Sequence, residues 1–164
     1  MIGVVDGRTP GPLDVLRDLI LEYAASLPVD VSHERMRQEA EGLPGEYAPP
    51  RGALLLAMAD GSPLGCAALR PLDRETCELK RVYVRPEARG RGIGRTMVIT
   101  LIGSARRIGY RRMRLDTVPA LKPALGLYRS LGFRFIAPYR AIPTERALFM
   151  ELMLGPCPPP RPSG

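Results

Sequence analysis

Residues 84–95 have the sequence Val-Arg-Pro-Glu-Ala-Arg-Gly-Arg-Gly-Ile-Gly-Arg. This segment follows a run typical of a β-strand, residues 79–84, and precedes an amphipathic pattern that predicts an α-helix. Gly90, Gly92 and Gly94 have no side chains, so the backbone N–H groups around them can face a ligand directly. The positive end of the helix dipole adds to their effect. The segment therefore predicts an anion-binding loop, best suited to a diphosphate.

Two better-known phosphate-binding loops do not fit this segment. A Walker A loop requires a Gly-Lys pair, and the chain contains none. A Rossmann fingerprint requires a third glycine three residues after a Gly-x-Gly pair, and Arg95 or Met97 occupies that position here. The sequence therefore excludes P-loop NTPases and argues against nicotinamide or flavin binding.

The loop resembles the acetyl-CoA-binding motif of the GNAT acyltransferase superfamily, Arg/Gln-x-x-Gly-x-Gly/Ala. Arg89, Gly92 and Gly94 stand at its fixed positions. Residues 124–133, Ala-Leu-Gly-Leu-Tyr-Arg-Ser-Leu-Gly-Phe, are similar to a second signature of the same superfamily, Ala-x-x-Leu-Tyr-x-x-x-Gly-Phe. The two motifs occur in the expected order with strand patterns between them, and the resemblance is strong over residues 52–135.

Hydrophobic periodicity and turn signals predict the secondary structure. The predicted elements are two helices (14–26 and 32–41), an antiparallel meander of three strands (53–59, 64–69 and 76–84), a helix (94–108), a strand (113–117), a helix (123–131) and two strands (133–136 and 147–154). A short edge strand at residues 2–5 is left open. Asp60-Gly61 is a hairpin turn signal. This order indicates an α+β fold.

The resemblance makes the fold and the function more specific. It implies a mixed, mainly antiparallel central sheet of six to seven strands with helices on both faces. A single domain is expected over residues 1–155, followed by a disordered proline-rich tail, residues 156–164. The implied activity is an acetyl-CoA-dependent N-acetyltransferase: acetyl-CoA is the co-substrate, and a primary amine of a small molecule or peptide attacks it directly in a ternary complex. The alternative is a coenzyme A-binding regulatory module without turnover.

The resemblance also assigns residues to the coenzyme. The expected cofactor-binding residues are Val82, Tyr83, Val84, Arg89, Gly90, Arg91, Gly92, Ile93, Gly94, Arg95 and Thr117. The acyl-pantetheine arm is expected to enter between two parallel strands, those of Val82 and Leu115, which splay apart in the superfamily. A backbone N–H near Val82–Val84 is expected to bind the thioester carbonyl. Leu121 replaces an asparagine found in many members, which removes one hydrogen bond to the cofactor or leaves it to Lys122.

Tyr128 and Glu78 are the candidate catalytic residues. The tyrosine of the second motif lies near the coenzyme sulfur in the superfamily and protonates the leaving thiolate, and a phenol of pKa ~10 suits that task. The alternative for Tyr128 is a core tyrosine whose hydroxyl bonds to backbone.

Glu78 stands where many members carry a carboxylate base, and its six-residue separation from Val84 predicts that both lie on one face of the strand. The alternative is an exposed carboxylate paired across the hairpin. Asp116, at the end of the neighbouring strand, is a second candidate for the base.

The charge is distributed unevenly along the chain. Residues 79–114 carry eleven Lys or Arg and one acid, whereas residues 1–50 carry nine acids and four Arg. The basic segment suits a polyanionic cofactor. The acidic segment suggests a cationic amine acceptor. Nucleic-acid binding is disfavoured because aromatic residues are few and no nucleic-acid motif occurs. A homodimer is left open.

Several classes of protein are disfavoured. His33 is the only histidine, so a two-histidine metal site is excluded and no metal is expected. Cys66, Cys77 and Cys157 lack metal-ligand spacing and predict buried thiols in a reducing, cytoplasmic location. No run approaches the ~18 apolar residues that cross a bilayer, and no export signal is recognised, so no membrane association is expected.

Overall fold

The computed structural model of the protein describes residues 2–6, 10–27, 33–141 and 147–156. Within these residues, seven strands form one sheet in the spatial order β1-β2-β3-β4-β5-β7-β6. The strands are β1 (Ile2–Asp6), β2 (Ala53–Ala59), β3 (Ser62–Pro71), β4 (Thr76–Val84), β5 (Arg112–Thr117), β6 (Arg134–Ile136) and β7 (Leu148–Met153). The helices are α1 (Pro10–Ser26), α2 (His33–Glu41), α3 (Ile93–Ile108) and α4 (Lys122–Ser130), with short 3-10 turns at Gly45–Tyr47 and Pro86–Ala88. The predicted α+β class, a mixed and mainly antiparallel sheet, is confirmed.

Both faces of the sheet are covered, which explains why β2 is an almost unbroken apolar run. Leu54 and Leu56 pack with α1 and α2 on one face. Leu55 and Ala57 alternate with them and pack with α3 on the other face. All four are buried, and full burial of each leucine stabilises the fold by about 1.5–3 kcal/mol.

The turn between β2 and β3 is set by its two central residues. Asp60 and Gly61 both have positive φ angles, 50° and 79°. Two such residues suit a two-residue hairpin turn, and aspartate and glycine adopt this conformation at lower cost than other residues. The predicted hairpin is therefore confirmed. β1 pairs antiparallel with β2, from Ile2 opposite Ala59 to Asp6 opposite Leu55, so the N-terminal segment does form the edge strand.

β4 and β5 pair over only part of their length. They run parallel, and three residues of each are in register, from Thr76 opposite Arg112 to Glu78 opposite Arg114. Beyond Glu78 the two strands separate and leave a gap between their carboxyl ends. The expected splay is thus seen as a loss of pairing between β4 and β5 after Glu78. We call the space between the carboxyl ends of these two strands the gap.

A β-bulge lies on the β4 side of the gap. The register with β3 shifts between Cys66 and Ala68, opposite Arg81, whose φ is 58°. A positive φ is uncommon for a residue other than glycine, and such strain occurs most often at functional sites. The bulge turns the rest of β4 relative to its first half.

Some predicted boundaries differ from the structure. α1 begins at Pro10, four residues before the predicted start, because prolines fit the first turn of a helix, where N–H groups have no helical partner. β3 extends to Ser62–Pro71, beyond the predicted 64–69. The single domain over residues 1–155 stays a prediction. The predicted disordered tail falls mainly on residues 157–164, which lie outside the described residues.

Candidate active site

The glycine loop ends β4 and begins α3. Gly90 and Gly92 have φ angles of 80° and 76°, which only glycine adopts at little cost. Gly92 is the N-cap of α3 and makes no capping bond through a side chain. The N–H of Thr96 makes the first helical bond, to the carbonyl of Gly92. The three N–H groups of residues 93–95 therefore have no helical acceptor and are available to an anion.

Three exposed arginines surround this helix start. Arg89 donates from Nε to the Val84 carbonyl at 3.0 Å, and Arg95 donates to Ser130 Oγ at 2.9 Å. In the part of the chain that the structure describes, neither they nor Arg91 pair with a carboxylate. Their positive charge is thus not offset by a paired carboxylate among the described residues, and it is available to an anion at the helix start.

The edge of β4 that faces the gap presents backbone N–H groups. The N–H of Arg85 donates to the Leu64 carbonyl of β3 at 2.8 Å. Because successive N–H groups of a strand point to opposite edges, those of Val84 and Val82 point away from β3 and toward the gap. The prediction of a backbone donor near Val82–Val84 therefore has two candidate groups.

Tyr83 and Thr117 are placed differently from the other predicted cofactor residues. The side chain of Tyr83 is buried against α1, where its hydroxyl donates to Glu22 at 2.8 Å. Only the backbone of Tyr83 therefore remains to contact a cofactor in the gap. Thr117 is buried at the carboxyl end of β5, on the same sheet face as Leu115.

Tyr128 is buried on α4, with 6% of its surface exposed. Its ring packs against that of Phe133, with the centroids 5.7 Å apart. Burial raises its pKa above the usual value, and the nearby Tyr23 and Asp116 raise it further. Among the described residues, the hydroxyl has no hydrogen-bond partner, so the predicted alternative of a backbone-bonded core tyrosine is not what the structure shows. The hydroxyl remains available to a ligand.

Glu78 is fully buried, and its carboxylate is surrounded by donors. Arg70, its cross-strand partner, donates from Nε at 2.9 Å, as the pairing alternative predicted, although the site is not exposed. Tyr139 donates to Oε2 at 2.5 Å, and Arg140 donates to Oε1 at 3.2 Å. With both oxygens occupied, Glu78 has little capacity left to accept a substrate proton.

The prediction that Glu78 and Val84 share a face of β4 is wrong. Val84 packs on the face covered by α3, together with Cys77 and Leu79. Glu78 lies between those two residues and therefore points to the opposite face. The bulge at Arg81 adds one residue and reverses the alternation.

Further charged side chains complete the site around Glu78. Arg140 bridges Glu78 and Asp116, with Nη2 at 2.9 Å from Glu78 Oε2 and a shorter contact to Asp116. Lys80 Nζ lies 3.8 Å from each of these two carboxylates. Arg70 also pairs with Glu46 at 2.7 Å. We call these six residues the gap cluster: Glu46, Arg70, Glu78, Lys80, Asp116 and Arg140.

Sequence reasoning missed Lys80, Tyr139 and Arg140. One signal for Lys80 was available, because it follows Glu78 by two residues on one strand and so shares its face. A second signal was its residue type, because lysine is rare in this chain, which has 22 arginines and two lysines. Tyr139 and Arg140 follow β6 in an irregular segment, which has no periodicity from which their direction could be predicted.

Three carboxylates in the described part of the acidic N-terminal segment reach arginines on or next to β3 and β4. Glu39 of α2 accepts from Arg81 at 2.6 Å, and Glu22 of α1 accepts from Arg85 at 3.1 Å. Glu46 is paired with Arg70. Three acids of this segment are thus matched by arginines on or next to β3 and β4, which weakens the argument for an acidic wall that attracts cations.

Other kinds of catalytic centre find little support. Burial raises the pKa of the Cys66 and Cys77 thiols to about 12, so both are neutral and poorly nucleophilic near pH 7. Cys157 lies outside the described residues. Over the described ranges, no three His, Cys, Asp or Glu side chains are grouped to hold a metal ion. The helices described here are too short or too polar to cross a membrane.

Comparisons with known proteins agree with this geometry. The model of the acetyltransferase (GNAT) family matches residues 16–133. An uncharacterized N-acetyltransferase of Schizosaccharomyces pombe is 36% identical over 147 residues, 88% of this chain and 90% of that protein. A GNAT-family acetyltransferase structure from Staphylococcus aureus covers 94% of this chain and 100% of its own, with a TM-score of 0.81 and 19% identity. The PaiA N-acetyltransferase of Thermoplasma acidophilum, in complex with coenzyme A, covers 93% of this chain and 99% of its own, with a TM-score of 0.75 and 20% identity.

Proposed function

Because this chain belongs to the acetyltransferase (GNAT) family, we propose that it transfers the acetyl group of acetyl-CoA to a primary amine of a small molecule or peptide. One observation carries the proposal. The gap between β4 and β5 opens beside an exposed glycine loop at a helix start, and Tyr128 and the gap cluster lie around it. The proposal assigns phosphate recognition to the loop, carbonyl binding to the edge of β4, and proton transfer to the side chains around the gap.

In this proposal, the cofactor is held mainly by backbone. The diphosphate binds the N–H groups of residues 93–95, and each charge-assisted hydrogen bond there contributes about 1.5–3 kcal/mol. Arg89, Arg91 and Arg95 supply positive charge around it. The pantetheine arm lies in the gap and pairs with the edge of Val82–Val84 as an added strand would. One of these N–H groups then stabilises the negative charge that develops on the thioester oxygen.

Substitution of Gly92 tests this assignment. The Gly92→Asp variant is expected to bind coenzyme A about ten- to a hundredfold more weakly, because its carboxylate would stand beside the diphosphate. Gly92→Asn is the matched control: it has the same size, tolerates the positive φ similarly, and finds no atom within 4 Å of its Cβ. Titration calorimetry of both folded variants measures their affinities for coenzyme A. Equal affinities of the Asp and Asn variants would remove the phosphate site from this loop.

Amide formation by direct attack needs proton transfers in two places. An alkylamine of pKa ~10.4 is neutral in only about one part in a few thousand at pH 7, which corresponds to about 4–5 kcal/mol. A base near the acceptor therefore matters. At the thioester sulfur, the leaving thiolate needs a proton. Tyr128 is the proposed donor because a tyrosine is protonated near pH 7 and its hydroxyl has no other partner among the described residues.

A binding module without turnover is the competing proposal, and thiol release separates the two. With acetyl-CoA and a panel of primary amines, the enzyme is expected to release free coenzyme A thiol faster with an accepted amine than without one. The panel should hold amino acids, polyamines, aminoglycosides and peptides with unblocked N-termini. Tight coenzyme binding with no amine-dependent thiol release across the panel would favour the module.

The buried thiols Cys66 and Cys77 support a cytoplasmic site of action.

A further inference from the structure

Lys80 is the member of the gap cluster whose polar group is least engaged. It lies on β4 between Glu78 and the bulge at Arg81, and its side chain is 11% exposed. Nζ is 3.8 Å from both Glu78 Oε1 and Asp116 Oδ2, which is beyond hydrogen-bond distance. Among the described residues, nothing accepts a hydrogen bond from it. A nitrogen in this position can reach a ligand that enters the gap.

The surroundings of Lys80 favour its neutral form. Burial is the largest effect, and it lowers the pKa of Lys80 to about 8 against the opposing attraction of nearby carboxylates. Those carboxylates already accept from arginines, so their attraction for a further cation is partly offset. The charged groups that face Lys80 from all packed elements are Glu39 of α2, Glu78 and Arg81 of β4, Asp116 of β5 and Arg140 after β6.

We propose that Lys80, rather than Glu78, is the general base that takes a proton from the ammonium group of the acceptor. This inference rests on the proposed acetyl transfer. The charge of the cluster is compatible with this role: with Lys80 neutral, the gap cluster contains two arginines and three carboxylates, one net negative charge. A cationic acceptor restores neutrality when it enters, and proton transfer to Lys80 leaves the total charge unchanged.

The proton balance of the whole reaction is then complete. The acceptor ammonium gives one proton to Lys80, and its lone pair attacks the thioester carbonyl to form the C–N bond. When the C–S bond breaks, the thiolate takes a proton from Tyr128, and the tyrosinate is restored by the second proton that leaves the nitrogen. Lys80 returns its own proton to solvent. The products are an amide, a thiol and one released proton.

The pH dependence of two variants tests the role of Lys80 in turnover. Lys80→Arg keeps the positive charge but cannot be deprotonated near pH 8, and Lys80→Met keeps the aliphatic stem without charge. For an amine that the wild type acetylates, kcat/KM is expected to rise with pH to a plateau above about 8, because the neutral lysine is the active form. Both variants should lose roughly 10²–10⁴-fold in kcat/KM at pH 8 and lose this inflection, with coenzyme A affinity unchanged by calorimetry. A Lys80→Arg variant with the same kcat/KM and pH profile as the wild type would overturn the proposal.

The ionisation of Lys80 can be measured without any acceptor. The chain has two lysines, Lys80 and Lys122, so carbon-labelled lysine gives two side-chain signals in NMR, and Lys122→Arg assigns them. Lys122 is exposed on α4 and serves as the reference. The Lys80 signal is expected to titrate near pH 8. Titration above pH 10 would overturn the base role even if no amine were turned over, whereas titration near 8 without turnover would indicate failure of the proposed function alone.

Discussion

Tyr128→Phe is expected to lower kcat by roughly 10²–10⁴-fold while leaving the affinity for acetyl-CoA nearly unchanged. The substitution keeps the ring that packs against Phe133 and removes only the hydroxyl. Because that hydroxyl has no hydrogen-bond partner among the described residues, its removal leaves no internal polar group unpaired, and the fold should keep its stability. The thiolate would lose its proton donor.

The measurement for Tyr128 is steady-state kinetics at saturating acetyl-CoA, together with thermal unfolding. A drop in kcat at constant melting temperature would identify the hydroxyl as a catalytic group. A variant with the kcat of the wild type would return Tyr128 to a packing role.

Gly65→Ala is expected to destabilise the protein by about 1–3 kcal/mol or more through steric conflict inside the sheet. A Cβ at this position would lie 2.3 Å from the Tyr83 carbonyl oxygen and 3.2 Å from Val84 Cα. Both are backbone atoms of β4, so relief requires the two strands to move apart. That movement would also displace the N–H groups that the proposal assigns to the thioester and pantetheine.

Gly126→Ala is the matched control for this prediction. Gly126 lies in α4, is exposed, and a Cβ there would meet nothing within 4 Å. The same chemical change should therefore stabilise the protein by about 0.5–1 kcal/mol, because alanine favours a helix over glycine. Urea unfolding of the three proteins gives the comparison. Equal stability of Gly65→Ala and the wild type would contradict the close approach of β3 and β4.

Much of the fold could be predicted because its signals are local. The bounds predicted for β2 and β4 agree with the structure, since apolar runs and a turn signal at Asp60-Gly61 mark them directly. The glycine loop was recognisable because its chemistry lies in consecutive backbone groups. The order of helices and strands then left few ways to build one sheet.

The direction of side chains around the gap could not be predicted in the same way. Alternation along β4 fails at Arg81, whose positive φ belongs to a bulge defined by pairing with β3 and whose guanidinium pairs with Glu39 of α2. Both β3 and Glu39 are distant from Arg81 in sequence. The gap cluster likewise joins residues from β3, β4, β5 and the segment after β6. Only the folded chain shows that Lys80 lies between two carboxylates already engaged by Arg140.

The most direct test of the account follows the acetyl group itself. The wild-type enzyme is incubated with acetyl-CoA labelled in the acetyl carbons and with an amine that promotes thiol release, and mass spectrometry locates the label. We expect one labelled amide on the amine nitrogen for each thiol released, with unlabelled protein throughout turnover. Label carried by the protein as an intermediate would contradict direct attack, and label absent from every amine would contradict acetyl transfer.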